Sequence, residues 1–118
     1  MITIQDLTKR FGDKVAVDIP SFIINDGDVL GLVGNNGAGK TTLFRLILDL
    51  IKADSGEVST NGINPAASEE WKHDTGAFID EGFLIDFLTP EEYFEFVGKV
   101  SGLSQEQTSE RLADFERF

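Results

Sequence analysis

The chain has 118 residues, no cysteine and a formal charge of −11, from 21 acidic and 10 basic side chains. With 41% apolar and 26% charged residues it reads as a soluble, globular, single-domain chain. The charge excludes nonspecific binding to nucleic acid or an anionic membrane surface. The missing cysteines exclude a disulfide framework and a thiolate metal site, and no apolar run approaches the roughly 18 residues that span a bilayer.

The opening MITIQDLTKR lacks the order of a signal peptide and reads as a strand at the start of a domain, with Ile2 and Ile4 alternating against Thr3 and Gln5. Ser21 to Ile24 is a second short extended run, closed by the turn residues Asn25-Asp26-Gly27. Val29 to Val33 is almost continuously apolar and bounded by turn residues, which predicts a strand covered on both faces, as in a parallel sheet. KTTLFRLILDLIK follows a glycine-rich loop, and its apolar residues surround all but an Arg45-Asp49-Lys52 stripe, so a mostly buried helix is expected over 40–52. Glu57 to Thr60 reads as a strand running into an Asn61-Gly62 hairpin turn. Residues 64–74 are polar and irregular, and Thr75 to Ile79 is a further short strand candidate.

The composition then changes. Thr89-Pro90-Glu91-Glu92 is a helix start, with a capping threonine, proline at the first position and acids in the first turn. Tyr93, Phe94, Val97 and Val100 form its apolar face, read here as core, and Gly102 closes it. Ser104 and Gln107 form a capping box that opens a last helix with Leu112 and Phe115 on one face.

The chemistry lies in the loop. Gly34-Asn35-Asn36-Gly37-Ala38-Gly39-Lys40-Thr41 matches G-x-x-x-x-G-K-[ST] between an expected strand and an expected helix. A backbone that wraps a phosphate must turn several N–H groups inward, through dihedral angles that glycine tolerates. The following helix offers its positive end to the same anion. Lys40 supplies a point charge to the β- and γ-phosphates, and Thr41 a hydroxyl to Mg²⁺. An ordinary glycine-rich turn would match by chance in a chain this size at roughly half a per cent, which favours a phosphate site.

The wording around the loop is narrower than the motif. GNNGAGKTT resembles the GxNGAGKST form of ATP-binding cassette (ABC) ATPases. LTKRFGDKVAV resembles that family's opening segment, ILDLIKADSGEVSTNG its LxGLxxPxSGxVxxxG segment with Ala53 in place of proline, and TGAFIDEGFLIDFLTPEEYFEF its Q-loop region. The similarity runs through essentially the whole chain. It implies an α/β phosphate-loop NTPase fold, here the N-terminal half of a nucleotide-binding domain: an antiparallel β subdomain and phosphate-loop core over 1–75, then the Q-loop region and the start of the helical subdomain over 76–118.

By the same resemblance Phe11 stacks on the adenine of ATP. Gly34, Asn35, Asn36, Gly37, Ala38, Gly39, Lys40, Thr41 and Thr42 hold the phosphates and Mg²⁺. Asp80 stands where the family has Gln or Glu touching the metal and the attacking water. The implied partners are a transmembrane permease meeting Asp80 to Leu88, where Phe83, Leu84, Ile85, Phe87 and Leu88 cluster, and a second nucleotide-binding subunit. The implied location is the cytoplasmic face of the membrane.

The LSGGQ signature, the Walker B strand with its catalytic Asp-Glu and the switch histidine do not occur in these residues; Glu81, which follows Asp80 in the segment that resembles the Q-loop region, is not the family's catalytic glutamate. His73 matches no family position and is read as a surface residue. The expectation is therefore a stretch that binds ATP but does not hydrolyse it alone, with parts of the 29–33 run and the 43–51 helix left uncovered. The alternative is a catalytically silent nucleotide-binding or regulatory module. A GTPase would need an N-K-x-D, which is absent.

Overall fold

A computed structural model describes residues 1–80, 82 and 84–115, in two compact units, Met1–Ala77 and Phe78–Phe118. The first unit is built on strands β1 (Ile2–Phe11), β2 (Lys14–Ile24) and β3 (Ser55–Thr60), with helix α1 (Lys40–Ile47) and a short 3-10 helix (Glu70–Asp74). The sheet order is β2-β1-β3, antiparallel throughout.

β1 is the central strand and carries the two most deeply buried side chains, Ile4 and Leu7. Strict alternation would put residues three apart on opposite faces. The chain brings both inward with Asp6 in a left-handed conformation (φ 48°), where the β1–β3 register shifts between Gln5 and Thr8. Gly56 packs against this bulge; a Cβ there would overlap the Asp6 carbonyl, and its φ of 78° also favours glycine. Val17 from β2, Val58 from β3 and Leu46 from α1 complete the buried cluster, with Ile19, Leu43 and Ile47 against it.

β2 is much longer than the expected Ser21–Ile24 run, and pairs with β1 from Phe11↔Lys14 to Ile2↔Ile24. Pro20 lies inside it, which an edge strand tolerates because one side of its backbone needs no ladder partner. The Asn25-Asp26-Gly27 turn forms as expected, with Asp28 N–H donating to the Asn25 carbonyl at 3.2 Å. The Asn61-Gly62 turn also forms, with Thr60 and Ile63 exchanging backbone hydrogen bonds of 2.8 and 2.9 Å.

Three expected elements differ in the structure. Val29 to Val33 is not a strand: it joins no ladder among the described residues, and Val29 and Val33 are 101% and 92% exposed. A strand exists only by pairing, and the antiparallel sheet offers this run no parallel neighbour. Thr75 to Ile79 likewise has no ladder, although Thr75 itself is extended. The helix expected over 40–52 ends at Ile47, with Leu48 as its cap and Asp49 left-handed at φ 52°. Leu46 is its one buried residue, whereas Phe44 and Leu50 are exposed. A single sheet covers one face of the helix, so the rest of its apolar circumference faces outward.

The second unit contains helices α2 (Pro90–Val100) and α3 (Gln105–Ala113). Both start as their sequences dictate, with reciprocal capping boxes at Thr89/Glu92 and Ser104/Gln107. α2 stops in a Schellman arrangement: Leu103 N–H donates to the Gly98 carbonyl at 2.8 Å and Gly102 N–H to that of Lys99 at 3.1 Å. The helices meet where the Thr108 side chain lies against Gly98. The apolar face read as core is not buried: Phe94, Val97 and Val100 are exposed, as is Phe96. Two helices joined by a short turn bury only the stripe between them. Phe83 and residues 116–118 lie outside the described residues.

Candidate functional site

The glycine-rich loop sits between the exposed 29–33 run and α1. Gly39 is the N-cap of α1 and takes φ 93°. A Cβ at this position would overlap the Ala16 carbonyl oxygen, so the loop approaches β2 more closely than any side chain would allow. Unlike α2 and α3, α1 has no side-chain cap and no acidic residue in its first turn. The first N–H groups of an α-helix have no intrahelical acceptor. At this helix they suit an anion, reinforced by the helix dipole.

Lys40 folds back over the loop, donating to the carbonyls of Gly34 at 2.5 Å and Asn35 at 2.9 Å. Ala38 N–H closes a turn onto the Asn35 carbonyl at 3.0 Å. These bonds tie the ammonium and the turn to the start of the loop.

Phe11, Asn36, Gly37, Gly39, Lys40, Thr41 and Thr42 border one open cavity of about 400 Å³, together with Lys14 and Ala16. The sheet therefore brings the aromatic at the end of β1 to the same depression as the loop. Phe11 is 54% exposed, with the Lys9 ammonium 5.5 Å from the centre of its ring. Gly34, Asn35 and Ala38 do not border this cavity; the first two take part through their carbonyls. Asp80 belongs to the second unit, where its carboxylate accepts the Gly82 N–H at 3.0 Å. His73 is exposed, as expected.

Asp54 anchors the strand end that carries Phe11. Its carboxylate accepts the Arg10 backbone N–H at 2.6 Å and the Lys9 ammonium at 3.3 Å, while its own N–H donates to the Thr8 carbonyl at 2.9 Å. The bond from Arg10 N–H, then that from Lys9, holds the Asp54 carboxyl below the usual aspartate value. A carboxylate with a lowered folded-state pKa contributes stability above its unfolded value and loses it as pH falls through the folded one. Asp54→Asn should therefore flatten the acid limb of the stability profile and leave the neutral-to-alkaline limb unchanged in shape. Urea midpoints measured from neutral pH down through the aspartate range check this.

Sequence reasoning missed Lys14 and Ala16. A tight turn at Gly12-Asp13 pairs Phe11 with Lys14 and begins β2 at the loop. The available signal was a basic residue three positions after the aromatic, in a chain with twice as many acids as bases.

The ABC transporter family model matches residues 17–117. The chain is 34% identical to the ABC transporter ATP-binding protein NatA of Bacillus subtilis, over 99% of this chain and 50% of that protein. It is 32% identical to the spermidine/putrescine import ATP-binding protein PotA of Pseudomonas aeruginosa, over 95% of this chain and 31% of that one. The chain thus spans half or less of the length of these relatives. A solved ATP-binding subunit of an ABC transporter superposes on 89% of this chain and 44% of its own, with a TM-score of 0.71 and 26% identity. A dimeric ATP-binding cassette bound to ADP and Pi superposes on 97% of this chain and 55% of its own, with a TM-score of 0.77; at 23% identity it speaks to fold alone. The match across most of the chain, around a phosphate loop of this geometry, makes it a member of the ABC transporter family with the α/β phosphate-loop NTPase fold.

Proposed function

We propose that this chain is the ATP-binding, N-terminal part of a nucleotide-binding domain whose whole form couples ATP hydrolysis to transport through a permease. The observation that carries the reading is the shared cavity. Phe11 offers a ring face to the adenine at one side, and Lys40 with the loop and the start of α1 offers positive charge to the phosphates at the other. Thr41 and Thr42 supply hydroxyls beside them.

Magnesium takes hard oxygen donors and is held by few protein ligands together with substrate phosphates and water. The Thr41 hydroxyl next to the phosphate loop fits that donor set. Asp80, which stands where the family has Gln or Glu, is the proposed second contact. Bound magnesium would neutralise phosphate charge; the loop and Lys40 position the phosphate chain.

Residues 76–118 are proposed as the Q-loop region and the start of the helical subdomain, following the core over 1–75. The 80–88 stretch is the proposed permease contact: Leu84 and Phe87 are 46% and 87% exposed, an apolar surface suited to a partner. Among the described residues no helix is long and apolar enough to cross a membrane. We place the chain on the cytoplasmic face through that permease, as one half of a nucleotide-sandwiching dimer.

The general base and signature motif of the family are not in these 118 residues. The chain alone is expected to bind ATP without turnover. A phosphate-release assay with Mg²⁺ tests this: the expected rate equals that of Lys40→Ala. Steady release abolished by Lys40→Ala would contradict it.

A further inference from the structure

We propose that Lys14 is a second nucleotide-binding cation, which reads the phosphate chain between the adenine-stacking ring and the glycine-rich loop. The inference rests on the ATP reading above and adds a residue to it.

Lys14 Nζ donates to the Gly37 carbonyl at 3.1 Å, so a side chain from β2 already reaches across to the loop. It borders the cavity with Phe11 on one side and Asn36 and Gly37 on the other. That position corresponds to the stretch of a nucleotide between its base and its terminal phosphates. Lys14 and Lys40 are the charged residues bordering the cavity, and no carboxylate joins them among the described residues. In a chain of charge −11, such a bare cationic depression has a clear electrostatic use.

The bond to Gly37 is to a neutral carbonyl from an exposed side chain, and a lysine can exchange it for a phosphate oxygen at little cost. Lys14 is opposite Phe11 across the two-residue turn, so a nucleotide stacked on the ring brings its phosphates within the lysine's range. Ring and ammonium thereby act as one recognition unit on one hairpin.

The test is ATP titration by calorimetry on the wild-type chain, Lys14→Arg, Lys14→Gln and Lys14→Met, each checked for fold by circular dichroism. Glutamine keeps a donor for the Gly37 carbonyl but carries no charge. The expected result is ATP affinity lowered about tenfold in both Lys14→Gln and Lys14→Met and largely kept in Lys14→Arg, the scale of one charge-assisted hydrogen bond. Added salt should narrow the difference. Wild-type affinity in Lys14→Gln would assign Lys14 a loop-pinning role only, and wild-type affinity in Lys14→Met would remove any role; either overturns the inference while the ATP reading stands. A wild-type chain that binds no ATP overturns both.

Discussion

Lys40→Ala is expected to weaken ATP binding about a hundredfold, the upper end of what one charged hydrogen-bonding group contributes. Two effects combine. The ammonium is a positive charge carried on the loop, and its bonds to the Gly34 and Asn35 carbonyls help to fix the loop's shape. Without it, the Gly34 and Asn35 carbonyls lose their donor and the loop loses a positive charge beside the cavity. The fold should survive, because Lys40 contributes nothing to the cluster of Ile4, Leu7, Val17, Leu46 and Val58. Calorimetric titration alongside a thermal melt separates the outcomes: lost binding with an unchanged Tm is expected. Unchanged ATP affinity would leave the loop without its assigned role.

Gly39→Ala is expected to damage both site and fold. The added Cβ would overlap the Ala16 carbonyl oxygen, and the residue holds φ 93°, where L side chains are strained. Overpacking costs about 1–3 kcal/mol, and an incompatible positive φ adds roughly 1 kcal/mol. The loop can relieve the overlap only by moving off β2, which opens the cavity between Phe11 and the phosphate nest. Gly37→Ala provides the control: it also has positive φ, at 82°, but a Cβ there meets only the flexible end of Lys14 at 3.6 Å. The expected order of both Tm and ATP affinity is wild type, then Gly37→Ala, then Gly39→Ala. Equal losses in the two variants would mean that the dihedral angle, not the approach to Ala16, governs the loop.

What was legible in the sequence was local. The helix start at Thr89-Pro90, the Ser104/Gln107 capping box and the Asn61-Gly62 turn each depend on a few consecutive residues, and each forms where expected. What depended on distant partners was not legible. Val29 to Val33 has the composition of a buried parallel strand, but a strand is defined by its neighbours, and none stands beside it among the described residues. The apolar face of α2 predicted burial for the same reason and is only partly covered, whereas the partial exposure of the 43–51 stretch was expected from the family's missing motifs.

β2 was read too short because Asp18 and Pro20 interrupt its pattern, while its antiparallel pairing with β1 tolerates both. Leu7 joins Ile4 in the core only through the left-handed Asp6, which alternation does not foresee. In the site, the aromatic and the loop were legible separately. Their meeting in one cavity follows from the β1–β2 hairpin, as does the arrival of Lys14 beside them. Residue type pointed to the proposed chemistry, and pairing geometry brings those residues to one cavity.

The most direct measurement is calorimetric titration of the wild-type chain with ATP, with and without Mg²⁺. The account predicts saturable binding at one site per chain in both conditions, tighter with the metal. A folded chain that shows no saturable ATP binding under either condition would contradict it.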